Sequence, residues 1–107
     1  MTITPFHGYN RNYALNDMSW KLAGQISEEK DNMVEKNVKL QNIHGQFGDG
    51  VFFMATDKNF DGNVDDYPFM MRCCYVSRNY VSEITVLCQN KDSNAIKQVI
   101  EWVKTLN

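Results

Sequence analysis

The sequence predicts an α+β fold: a single domain over 1–107 with an antiparallel meander of about four strands, flanked by an N-terminal and a C-terminal helix. Two observations carry that expectation. Between Val51 and Cys88 three apolar, β-prone runs (VFFMAT, FMMRCCYVS and VSEITVLC) are separated by an acidic loop and by a short polar turn, the pattern of antiparallel strands. On either side of this stretch the apolar residues recur at helical spacing instead.

In chain order, Thr2 to Phe6 suits a short edge strand, where Pro5 is tolerated because an edge leaves some N–H groups unpaired. HGYNRN is turn material, with Asn12 placed to cap the following helix. From Tyr13 to Glu29, Leu15, Met18, Leu22 and Ile26 form one amphipathic stripe. Trp20 falls off that stripe, and Gly24 weakens the helix by roughly 1 kcal/mol relative to Ala. Val34 to Phe47 alternates with a shift of phase, which predicts a strand bulged or bent near Asn42. Asp49-Gly50 is a strong hairpin signal and would set Phe47 opposite Phe52. Phe69 to Ser77 is apolar on both alternating faces and interrupted only by Arg72, so it reads as a central strand covered twice, or with one face left for a partner. Ser77-Arg78-Asn79 turns the chain into Val81–Cys88. After a polar break with Asp92 or Ser93 as cap, Ile96, Val99, Ile100, Val103 and Leu106 make a clean helical stripe.

Composition excludes several classes. Hydrophobic residues at 43% and charged residues at 22% describe an ordinary globular chain, not a disordered one. A net charge of −2 with no basic run argues against nucleic acid, and 13 acidic residues are too few for a DNA mimic. No apolar run approaches the roughly 18–20 residues of a membrane span. The N-terminus lacks the pattern of a signal peptide, and three cysteines, two of them adjacent, suit a reducing compartment; the expected location is cytoplasmic.

Asp57-Lys58-Asn59-Phe60-Asp61-Gly62-Asn63-Val64-Asp65 resembles the first nine positions of an EF-hand-type calcium loop. The resemblance implies Ca²⁺ held by side-chain oxygens of Asp57, Asn59 and Asp61, the carbonyl of Asn63, and Asp65 directly or through water. It spans about a dozen residues and departs at the twelfth position, where a bidentate Glu belongs and Pro68 stands. The simpler reading, a solvated loop of turn-tolerant Asp, Asn and Gly, is preferred.

Cys73 and Cys74 are neighbours on a strand, so their side chains point to opposite faces and do not share a tetrahedral metal. His7 and His44 are the two imidazoles, and no sequence motif gives either a catalytic partner. The aromatics in loops or off the helical stripe, Trp20, Phe60, Tyr67 and Tyr80, are the candidate partner-binding residues, because such rings desolvate much area at small entropic cost.

The leading expectation is therefore a small non-enzymatic interaction protein: a regulator, inhibitor or adaptor that binds a protein partner. Asn-rich domains of this size are common among phage and mobile-element products. A homodimer through an uncovered sheet face is also compatible with the two-sided strand. The alternatives are a calcium-binding module using 57–65, and a small enzyme or nucleotide-binding protein using His44 or His7.

Overall fold

In a computed structural model the elements follow in the order β1 (Thr2–Pro5), α1 (Arg11–Glu29), a 3₁₀ turn (Lys30–Asn32), β2 (Gln41–His44), β3 (Asp49–Thr56), β4 (Phe69–Val76), β5 (Tyr80–Cys88) and α2 (Asn94–Val103). The structure describes residues 2–5, 11–59, 67–89 and 94–107. The sheet order is β1-β5-β4-β3-β2, and every neighbouring pair is antiparallel. The expected four-strand meander is β2 to β5, and the N-terminal edge strand adds a fifth beside β5, with Pro5 opposite Tyr80.

β4 is the middle of this sheet and is covered on both faces. Phe69, Met71, Cys73 and Tyr75 join Phe52, Ile84 and Cys88 in one core, capped by Ile96 and Val103 of α2. Cys74 and the half-buried Met70 face the other way, with Val51, Phe53, Ala55 and Leu22 of α1. The alternation follows from the two-residue period of an extended chain, and it leaves Met71, Tyr75 and Val76 fully buried. The α1 stripe behaves as its spacing requires: Leu22 is buried, while Met18 and Ile26 pack against the same core. In α2 Ile96 and Val103 are buried, with Val99 and Ile100, and Leu106 just beyond the helix, packed beside them.

Three local expectations are corrected. α1 begins at Arg11, so Asn12 lies inside its first turn and not at its cap. Of the strand expected over 34–47, only Gln41–His44 pairs in the sheet. Val34 instead donates its N–H to the Thr56 carbonyl at 2.9 Å, and Val38 and Leu40 lie half-buried against the α1-side core. Burial alternates there without a ladder, which is why the period reads as a strand. The β2–β3 hairpin exists, but its turn spans Gly45–Gly48: Gly45 N–H donates to Gly48 O at 2.9 Å, and His44 pairs with Asp49. Asp49 and Gly50 belong to β3, and Phe52 lies opposite Gln41 rather than Phe47. The proposed caps Asp92 and Ser93 lie outside the described residues.

Packing explains why glycines cluster here without making the turn at Asp49. A Cβ on Gly48 would overlap the Val76 carbonyl and crowd the backbone of Ser77, and one on Gly50 would crowd the Cys74 carbonyl and the Tyr75 ring. These glycines let the hairpin lie against the end of β4. The chain end pins the same corner, because Gln46 N–H donates to Lys104 O at 3.1 Å and Asn79 Nδ2 donates to Asn107 O at 2.9 Å.

These contacts predict opposite effects for two glycine replacements. Gly48→Ala meets rigid backbone and should destabilise by more than about 2 kcal/mol. Gly24→Ala, in α1 with open space around the new methyl, should stabilise by about 1 kcal/mol. Urea unfolding of the two variants measures both; equal effects would contradict this packing.

Candidate functional site: a groove beside the end of α1

The apolar stripe of α1 stops at Ile26, and the next residues, Ser27, Glu28 and Glu29, are exposed and polar. With no apolar face left to bury, the helix ends its cover of the sheet there. The 3₁₀ turn carries the chain back so that Met33 bridges Asp57 beyond the end of β3. On the α1 face this leaves a groove of about 460 Å³. Met33, Phe53, Ala55 and Met70 form its floor, Arg72 and Leu87 one wall, and Glu29, Asn32, Asp57, Asn59 and Tyr67 its rim. Its size and largely apolar lining are those of ligand-binding clefts.

Short polar contacts fix the rim. Lys58 N–H donates to Asn32 O at 2.8 Å, Asn32 Nδ2 to Glu29 Oε2 at 3.1 Å, and Asn59 Nδ2 to Asn32 Oδ1 at 3.3 Å. Asp57 N–H donates to Pro68 O at 2.7 Å, closing the base of the β3–β4 connection. Behind it, the Glu35 carboxylate receives both the Thr56 N–H (2.7 Å) and the Thr56 hydroxyl (2.6 Å), which holds the 33–40 segment to the end of β3.

Arg72 is the charged interruption in the otherwise apolar β4. It is half-buried between Phe53 of β3 and Thr85 of β5, and its Nη1 donates to Gln25 Oε1 at 2.8 Å. Among the described residues no carboxylate forms an ion pair with it. Further along the same face, Lys21 of α1 pairs with Glu83 of β5 at 2.6 Å. That hydrogen bond, and then the carboxylate charge, raise the Lys21 pKa.

The residues singled out from the sequence divide as follows. Tyr67 stands on the groove rim, 52% exposed. Trp20 is 78% exposed on the side of α1 away from its buried stripe. Tyr80 opens β5 at the opposite end of the sheet, eight residues from Cys88, or about 26 Å at strand rise. Tyr67 and Tyr80 therefore do not share one surface. Phe60, Asp61, Asn63 and Asp65 lie outside the described residues, as does His7. Asp57 and Asn59 sit at the groove mouth, where Asn59 N–H donates to Asp57 Oδ1 at 2.9 Å in an Asx turn. Among the described residues no group of three or more His, Cys, Asp or Glu could hold a metal.

His44 Nδ1 lies 3.0 Å from Asp49 Oδ1, a cross-strand pair open to water at the sheet edge. Cys73 faces the α2 core and Cys74 the α1 core, as strand alternation requires. Burial pushes the Cys73 thiol up to about 12, with the neighbouring Cys74 adding to it. Burial likewise pushes Cys74 to about 11, reinforced by the nearby Glu83 carboxylate. Thiols so raised are poor nucleophiles at neutral pH.

Leu87 and Arg72 are the site residues that strand patterning alone does not select. Leu87 shares its face with Glu83 and Thr85 and is 56% exposed; an apolar residue on a polar face is its only sequence signal. Compared with protein-family models, curated proteins and solved structures, the chain matches none. Among the described residues no helix is long and apolar enough to cross a membrane.

Two outcomes follow from the buried thiols. Native protein should react with a thiol reagent at pH 8 only as fast as it opens, while denatured protein reacts at once; fast native labelling of Cys73 or Cys74 would contradict their burial. Folding keeps both thiols protonated, so their contribution to stability is complete below about pH 9, where unfolded thiols titrate. It is lost as pH rises from there toward 11–12, and urea midpoints should fall across that window.

Proposed function

We propose that the protein is a non-enzymatic interaction module, a regulator, inhibitor or adaptor, that binds a polypeptide partner through the groove beside α1. One observation supports this above the others: where α1 stops, an apolar floor continues into the exposed side chains of Leu87 and Tyr67. A buried apolar centre with a polar, hydrogen-bonded rim is the anatomy of interaction surfaces. The buried thiols, held protonated by desolvation, and the water-exposed His44–Asp49 pair give no comparable support to a reaction.

Leu87→Glu places a charge on the groove wall without disturbing a buried contact, so stability should change by no more than about 0.5 kcal/mol. Capture from host lysate by tagged native protein, followed by mass spectrometry, should yield a partner that Leu87→Glu and Tyr67→Ala lose and Tyr80→Ala retains. A partner retained by both groove variants and lost by Tyr80→Ala would move the site to the other end of the sheet.

A further inference from the structure

Resting on the groove as the binding site, the geometry points to its occupant: the C-terminal end of a partner chain, with its terminal carboxylate on Arg72 and an apolar last side chain against Met70 and Leu87. Arg72 supplies the chemistry. A guanidinium carries five N–H donors, and among the described residues one hydrogen bond, to the neutral Gln25, is made. Among the described residues no carboxylate pairs with this half-buried cation, and an arriving anion offsets the cost of holding it on a central strand. The planar fork matches a carboxylate with two parallel hydrogen bonds.

A chain end fits better than an internal acidic residue. In an extended segment immediate neighbours point to opposite faces, so an internal Asp or Glu shares a groove only with the apolar side chain two residues away, about 7 Å along the chain. A terminal residue carries the carboxylate and the apolar side chain on the same Cα. A free fatty acid would meet Arg72 and the floor but brings no cation to the Glu29 and Asp57 carboxylates at the mouth. The carboxylates of Glu29 and Asp57 at the mouth repel a second anion, so Lys or Arg is favoured upstream in the partner.

The test uses labelled hexapeptides ending in Leu, Ile or Phe with one upstream Lys, each made as the free acid and as the C-terminal amide, read by fluorescence polarisation. The free acids should bind native protein at least about tenfold more tightly than the amides, the effect of one charge-assisted pair. Arg72→Gln should remove that difference, and Leu87→Glu should weaken both forms. The acid–amide comparison on native protein needs no variant, and Arg72→Lys, which keeps the charge without the fork, serves where Arg72→Gln fails to fold. Equal binding of acids and amides, with both weakened by Leu87→Glu, overturns the chain-end occupant and leaves the groove standing. No peptide binding, while Leu87→Glu still loses the lysate partner, does the same. No effect of Leu87→Glu on peptides or partner overturns both readings. Octanoate binding as tightly as the free acids would replace the polypeptide with an amphipathic small acid.

Discussion

A strand apolar on both faces is stable in water only when each face is covered, and β4 is such a strand. Its side chains divide by alternation between two cores. One face draws in α2 with the buried Ile96 and Val103, and the other draws in α1 with Leu22. The helices are thus set on opposite sides by the period of a single eight-residue strand. The glycines of the β2–β3 hairpin answer the same demand, since they let that hairpin approach the end of β4 where Tyr75 is buried.

The groove grows out of the unequal reach of the two cores. On the α2 side the helical stripe runs the full length of the element and continues to Leu106. On the α1 side the stripe ends three residues before Glu29, while Met70 and Leu87 still present apolar surface beyond it. The 33–40 segment, fastened through Glu35 to Thr56, covers part of the remainder and stops short of Leu87. Arg72 stands in that gap, bridged to α1 by Gln25. An apolar strip with a cation in its wall is what is left where the apolar stripe of α1 ends at Ile26 while the sheet beneath it still presents Met70 and Leu87.

Much of this is legible in the sequence, for physical reasons that differ by element. The α2 stripe and the two-faced β4 announce themselves because burial fixes both their period and their residue types. Asp49-Gly50 misleads because glycine serves two purposes: it permits positive φ in turns, and it permits close approach between strands. At Gly50 the second purpose applies, and the turn sits at Gly45–Gly48. The 34–47 stretch misleads because a covering segment alternates its burial as a strand does. Tyr67 is found from its loop position, whereas Leu87 and Arg72 gain meaning only when α1 is seen to end beside them.

The division of the molecule by β4 is tested most directly by methyl NMR, since two adjacent methionines lie on its opposite faces. Nuclear Overhauser contacts should connect the Met71 methyl with the α2-side methyls of Ile96 and Val103, and the Met70 methyl with the α1-side core. Met70 and Met71 both contacting α2, or neither contacting a helix, would contradict the two-sided burial from which the groove follows.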